Sequence, residues 1–206
     1  MGKREFFLGL PRLYEIFQAF VGKLGFSRLY LYSRYLPYTP GLKVLDLGCG
    51  PGTSTHLFQK EDYLGIDIDA SYVKFAQTRY PGYKFELVDF SSQSLAPIAA
   101  ASFDLVFAYG LFHHLDDVTA RKFFSNAFKI LKHGGRMVCI DGCTFDGQTA
   151  LSRRITLADR GKYIRSPEQL QSLAGEAGFE SQVVLEKSAY SIPYSLMVLS
   201  LYKISL

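Results

Sequence analysis

The sequence of 206 residues contains no apolar run long enough to cross a bilayer; the longest, such as Ser195 to Leu201, falls far short of the roughly 18 to 20 residues a spanning helix needs. Its first residues hold no signal-peptide hydrophobic region, and Met1-Gly2 is no myristoylation start, because Phe6 stands where that signal takes Ser or Thr. These absences point to a cytoplasmic, soluble protein. Cysteine is scarce and odd in number. Cys49, Cys139 and Cys143 form no CxxC pair and no Cys/His cluster at zinc-ligand spacing, so neither a disulfide framework nor a metal site is expected. A uniformly basic surface is missing too. The formal charge of +4 is concentrated in residues 1 to 44, where Lys3, Arg4, Arg12, Lys23, Arg28, Arg34 and Lys43 face only Glu5 and Glu15. That distribution argues against a nucleic-acid surface, and no nucleic-acid partner is expected. There are no internal repeats and no low-complexity tract.

What is present fits one well-buried core, with 48% apolar and 20% charged residues in a chain too short for two large domains. From Lys43 onward, short β-rich apolar runs alternate with longer helical patterns, the mark of βαβ units and a mostly parallel sheet of the α/β class. Strands are expected at 43 to 47, 62 to 67, 84 to 88, 103 to 108 and 136 to 141. Helices fit 53 to 60, 70 to 79 and 118 to 131, the last closed by His133-Gly134-Gly135. Ser166-Pro167-Glu168 starts another helix, with Ser as N-cap. Strand-like 181 to 187 and 195 to 204 then follow with no helix between them, which implies an antiparallel pairing at the end of the sheet. Before the first strand, Leu13, Ile16, Phe17, Phe20, Val21 and Leu24 recur at helical spacing, and Phe26, Leu29, Tyr30 and Ser33 mark a second helix. The expected division is therefore an N-terminal helical cap or lid over 1 to 40 and a single α/β domain over 41 to 206. No element is assigned between Gly142 and Arg165.

The chemistry gathers around Asp46-Leu47-Gly48-Cys49-Gly50-Pro51-Gly52, a glycine-rich turn directly after the first strand. Glycines there let a nucleotide-like ligand approach the backbone. Their spacing is not the G-x-G-x-x-G of dinucleotide sites, and Asp46 would repel a pyrophosphate. A ligand bringing an ammonium and a sulfonium and no phosphate, as S-adenosylmethionine does, suits that carboxylate. Asp67, at the end of the second strand, can accept from both ribose hydroxyls; Ile68 would lie against the adenine face. Asp89, at the end of the third, is placed for the adenine amine, with the backbone of Phe90 beside it.

In order along residues 41 to 141, VLDLGCGPGT, GIDID, ELVDF, FDLVFAYGLFHHL and LKHGGRMV resemble the motifs of class I S-adenosylmethionine-dependent methyltransferases, in particular the small-molecule branch that includes the quinone-biosynthesis type. The resemblance implies a Rossmann-like sheet of seven strands with the last antiparallel, helices on both faces, and S-adenosyl-L-methionine as cofactor. It implies that Asp46, Gly48, Cys49, Gly50 and Gly52 line the methionine end, that Asp67 and Ile68 serve the ribose and adenine, and that Asp89 and Phe90 hold the adenine. Tyr109 falls where the family contacts the methionine portion.

Methyl transfer from a sulfonium needs mainly positioning, with a base only if the acceptor must lose a proton. His113 and His114 follow the fourth strand and supply candidate bases, His114 ahead of His113; either could instead brace the neighbouring loop. Cys49 and Cys143 sit in apolar context and read as structural. The segment Ala108-Tyr109-Gly110-Leu111 lacks the Asn/Asp-Pro-Pro-aromatic signature of adenine-N6 and glutamine methylation. The expected acceptor is a small molecule methylated on oxygen, carbon or nitrogen, with an RNA or protein methyltransferase and a non-catalytic cofactor-binding protein as the alternatives. Residues 11 to 36 and the segment 142 to 165 would form a lid over an apolar acceptor pocket. Arg153, Arg154, Arg160, Lys162 and Arg165 would add positive charge suited to an acidic substrate group. Plain packing of these helices, and contact of the basic amphipathic segment with a membrane surface, remain open beside the lid.

Overall fold

The computed structural model describes residues 26–92, 98–159, 161–187 and 192–203. Seven strands, β1 (Val44–Leu47), β2 (Tyr63–Asp67), β3 (Lys84–Leu87), β4 (Phe103–Tyr109), β5 (Leu131–Gly142), β6 (Glu180–Glu186) and β7 (Leu196–Tyr202), form one sheet in the order β3-β2-β1-β4-β5-β7-β6. All pairings are parallel except those of β7, which runs antiparallel to both β5 and β6. The order reverses between β1 and β4, and ligands bind at the carboxyl edge of such a reversal.

Side chains alternate across the sheet with the two-residue period of a strand. Leu45, Leu47, Val106, Ala108, Met137 and Cys139 face α3 (Asp117–Ile130) and α5 (Pro167–Glu176) in one core cluster. Val44, Leu105, Phe107, Val138 and Ile140 face the opposite way, where α1 (Phe26–Tyr35) and α2 (Ala70–Arg79) cover them. Leu31 and Tyr32 of α1 belong to this second cluster, so that part of the expected cap is core. The amphipathic stretch from Leu13 to Leu24 lies outside the described residues.

Local chemistry sets the helix starts. Asp69 caps α2 by accepting from the Ser71 and Tyr72 amides, Asp116 caps α3 through Thr119, and Ser166 with Gln169 makes a reciprocal capping box on α5.

Three expectations change. The helix placed at 53 to 60 is a turn with one short 3-10 stretch, Thr55–Leu57. Thr53, Ser54 and Thr55 are poor helix formers, and the Phe58 ring must turn inward to stack on Tyr63 at 5.5 Å between centroids. His133-Gly134-Gly135 is no helix stop; α3 runs into β5 at Leu131, and the register shift between Phe103 and Leu105 makes these residues a bulge. The segment 142 to 165 holds a helix, α4 (Ala150–Leu157). Apolar periodicity missed it because its buried residues are Ser152 and Thr156, while Leu151 and Leu157 are exposed.

Candidate active site

The cofactor residues singled out in the sequence gather at the carboxyl edge of β1, β2, β3 and β4. The turn after β1 is held open by left-handed glycines, Gly48 at φ 72°, Gly50 at 54° and Gly52 at 78°. A Cβ at Gly48 would also stand 2.9 Å from Leu111 Cδ1, so the end of that side chain would have to move. The amides of Gly48 and Cys49 both donate to the Ile66 carbonyl, at 2.9 and 3.0 Å, which pins the turn to β2. Asp67 braces it from below. Its Oδ2 accepts from the Gly50 amide at 2.9 Å and its Oδ1 from the Asp69 amide at 2.9 Å. Burial nevertheless raises the Asp67 pKa, because the charged form loses more to desolvation than the two N–H donors return. Asp46, inside β1 and buried, accepts from the Tyr63 hydroxyl at 2.7 Å. Burial, and then the Asp46 charge, hold that phenol neutral by raising its pKa.

Two clefts meet at Gly48. A narrow one of about 30 Å³ is lined by Asp46, Gly48, Cys49, Gly50 and Tyr109 among others. A wider one of about 140 Å³ runs the other way, between Asp67, Ile68, Asp89, Phe90, Leu111 and Phe123. Ile68 offers an exposed apolar face there. Asp89 is oriented by Ser91, whose amide and hydroxyl both donate to Oδ1, and these bonds lower its pKa. The Phe90 ring is buried against Phe123, 5.3 Å between centroids, and its carbonyl accepts from Asn126 at 2.8 Å. Phe90 therefore presents backbone, not ring. No Lys or Arg is among the described residues lining either cleft. The Cys49 thiol is buried, with its pKa pushed up by desolvation, and so is no nucleophile.

The histidines separate. His114 is exposed, while His113 is buried, its Nδ1 bonded to Asp141 Oδ1 and its Nε2 3.9 Å from Asp159. Asp141, at 1% exposure, also accepts from the amides of Phe112 and Gly142, at 2.6 and 2.8 Å. Asp159 in turn accepts from the Tyr194 hydroxyl at 2.6 Å. Sequence reasoning did not pick out Asp141, Asp159 or Tyr194. Asp141 carried the available signal, an acid at a strand end like Asp67; the other two lie where no element was assigned. The expected wall of positive charge loses its centre. Arg165 is buried and spends its guanidinium on Asp117 and on the carbonyls of Phe112, Tyr163 and Leu115. Arg153, Arg154 and Lys162 are exposed, and Arg160 lies outside the described residues.

On the other sheet face, α1 reaches the same edge. The Tyr32 hydroxyl bonds to Ser54 Oγ at 2.9 Å and its ring meets Tyr109 edge-on at 6.0 Å, while Tyr35 donates to Glu186 at the end of β6.

A family model described as a methyltransferase domain matches residues 45–139, from β1 through the glycine turn to β5. This match supports the class I S-adenosylmethionine-dependent methyltransferase reading of the motifs. Phosphoethanolamine N-methyltransferase 1 of Triticum aestivum is 28% identical over 189 residues, covering 87% of this chain and 37% of the relative. A malonyl-[acyl-carrier protein] O-methyltransferase of Hahella chejuensis is 30% identical over 100 residues, 47% of this chain and 35% of that protein. The chain thus spans little more than a third of the length of the phosphoethanolamine N-methyltransferases it matches. Among solved structures, phosphoethanolamine N-methyltransferase 2 of Haemonchus contortus, in complex with phosphomonomethylethanolamine and S-adenosylhomocysteine, superposes with a TM-score of 0.68 at 18% identity. The match covers 86% of this chain and 52% of that one. The likeness is one of fold. The sheet order and the antiparallel β7 agree with the arrangement that the motifs imply.

Proposed function

We propose that this chain transfers the methyl group of S-adenosylmethionine to a nitrogen of a small-molecule acceptor. The observation that carries the cofactor half is the donor set of the two clefts: Asp46, Asp67 and Asp89 along three successive strands, glycine where backbone must be approached, and no cation among the described lining residues. That set fits a ligand with an ammonium, a ribose and an exocyclic amine, and opposes a phosphate. Asp46 and the loop amides would hold the methionine end, Asp67 the ribose hydroxyls, and Ile68, Asp89 and the Phe90 backbone the adenine. When bound, the cofactor supplies a methyl group already activated as a sulfonium substituent.

What this chain's residues contribute is positioning and water exclusion, with a proton acceptor for an amine that must expose its lone pair. His114 and His113 both stand at the mouth. Asp141 fixes the ring of His113, which leaves exposed His114 as the more accessible acceptor of the proton. The nitrogen lone pair forms the N–C bond as the S–C bond breaks and its electron pair stays on sulfur. Nitrogen is favoured over oxygen because five phosphoethanolamine N-methyltransferases align over 83–87% of this chain, whereas a 27-O-demethylrifamycin SV methyltransferase aligns over 77% of it and a malonyl-[acyl-carrier protein] O-methyltransferase over 47%.

The test is calorimetry with S-adenosylmethionine followed by turnover on a panel of amine, hydroxyl and carbon acceptors that includes phosphoethanolamine, read as S-adenosylhomocysteine released. Micromolar cofactor binding and turnover confined to amines are expected. Absence of cofactor binding overturns the whole reading; turnover of hydroxyl or carbon acceptors alone overturns the nitrogen assignment.

A further inference from the structure

Beyond the cofactor clefts, the mouth of the site is walled by groups that come together only through the fold. Tyr194 precedes β7, and because β7 is antiparallel, its first residue Leu196 pairs with Gly142 at the end of β5. That brings Tyr194 to the same sheet edge as Tyr109 and the glycine turn. Asp159, just after α4, is 28% exposed, bonds the Tyr194 hydroxyl through Oδ2, and sets Oδ1 3.9 Å from His113 Nε2. The Tyr194 phenol is held neutral by burial first and by the Asp159 charge second, with Asp141 and Tyr109 adding smaller effects.

Two glycines carve the seats for this assembly. A Cβ at Gly142 would lie 2.1 Å from the Tyr194 hydroxyl, and one at Gly161 would lie 2.0 Å from a ring carbon of His113. Neither has the positive φ that calls for glycine on backbone grounds, so close approach alone accounts for them. A third glycine, Gly110, brings the His113 ring beside Tyr109, with Cε1 3.7 Å from the place its Cβ would take. The amide of Tyr163 donates to the His113 carbonyl at 3.0 Å, which ties the loop after α4 to the turn carrying both histidines. The carboxylate is thus oriented at the sheet edge that also carries the glycine turn and is kept partly open to solvent.

We propose that Asp159, oriented by Tyr194, is the residue that selects the methyl acceptor, by receiving a cationic nitrogen beside His113. The assignment rests on the nitrogen-acceptor reading above and deepens it. A protonated amine donates a charge-assisted hydrogen bond to Asp159 and meets an aromatic face of Tyr194 or Tyr109; a hydroxyl in the same place gains neither charge term. The site in this form prefers an ammonium head over the acidic group expected from the sequence.

The experiment is a calorimetric titration of the full chain, loaded with S-adenosylhomocysteine, using phosphoethanolamine, ethanolamine and propylamine against ethylene glycol monophosphate, ethylene glycol and propanol. The wild type is expected to bind the amines at least about tenfold more tightly than their hydroxyl counterparts. Asp159→Asn keeps an oxygen acceptor for the Tyr194 hydroxyl and so preserves the packing. It is expected to lose about tenfold or more in amine affinity and the amine preference with it, at unchanged S-adenosylhomocysteine affinity. Tyr194→Phe should weaken amine binding by a smaller factor while keeping the preference for amines. Amine binding by Asp159→Asn equal to wild type, equal binding of amines and hydroxyl compounds by wild type, or no amine binding to the loaded protein would each overturn the assignment. Failure to load with S-adenosylhomocysteine is the distinct result that removes the cofactor reading beneath it.

Discussion

At the scale of single residues, Asp67 has one observed role and one proposed role, and they can be separated. Its carboxylate braces the glycine turn through the Gly50 amide, and it is the proposed acceptor for ribose hydroxyls. Substitution by Ala removes both functions, whereas Asp67→Asn keeps an oxygen for Gly50 and removes only the charge. Burial raises the Asp67 pKa above its ordinary 3.8. A carboxyl raised in this way favours the folded state most when protonated, and that contribution is lost as pH rises through the raised value. Hydroxyl donors favour the ionised form, so cofactor binding and deprotonation are linked. The expected outcome is that S-adenosylmethionine affinity falls as pH drops through the raised pKa of Asp67. Asp67→Asn should bind at least about tenfold more weakly and without that pH dependence. Calorimetry across the acid range checks it, and an unchanged pH profile in Asp67→Asn would remove the ribose role. The acids and glycines of this half were legible because each stands next to a strand end in sequence. Asp159 and Tyr194 were not, since they lie far apart in the chain and only the reversal of β7 brings them together.

At the scale of elements, start signals were more dependable than periodicity. Ser166-Pro167-Glu168 marks the start of α5, and in the structure the Ser166 hydroxyl and the Gln169 side chain satisfy each other's backbone amides. Ser166→Ala should cost about 1 kcal/mol of stability, seen as a lower urea midpoint at constant slope. A slope change would mean that the helix end, not the cap bond, had been altered. α4 shows why the rest was hidden. Its inner face is Ser152 and Thr156, bonded to Gln148 and Ser195, so its burial follows hydrogen bonding and leaves no apolar stripe. The bulge of β5 is the opposite case: glycines that read as a helix stop serve instead to fit three extra residues against β4.

Across the whole molecule, α1 ties the chain before β1 to the carboxyl edge of the sheet. Leu31 and Tyr32 are core residues, and Tyr32 and Tyr35 tie the helix to Ser54 and Glu186 at opposite ends of the carboxyl edge. Removing residues 1–36 should therefore destabilise the domain by about 3 kcal/mol or more and weaken cofactor binding with it. Removing only 1–25 is the cleaner test of the proposed lid. Cofactor affinity should stay within about twofold while turnover of the accepted amine falls about tenfold or more. Normal turnover by that truncation would discard the lid, and loss of liposome binding alone would assign the segment to a membrane surface. By itself the sequence determined the order of the seven strands along the chain, the glycine turn and the acids at the ends of β1, β2 and β3, because each depends on neighbours within a few residues: period, cap and turn chemistry. Tertiary structure alone decided which acids and phenols share the acceptor wall, that Arg165 is consumed by the core rather than offered to substrate, and that α1 is core. Those outcomes depend on strand order and on which long-range partners satisfy each buried polar group, and no local pattern encodes them.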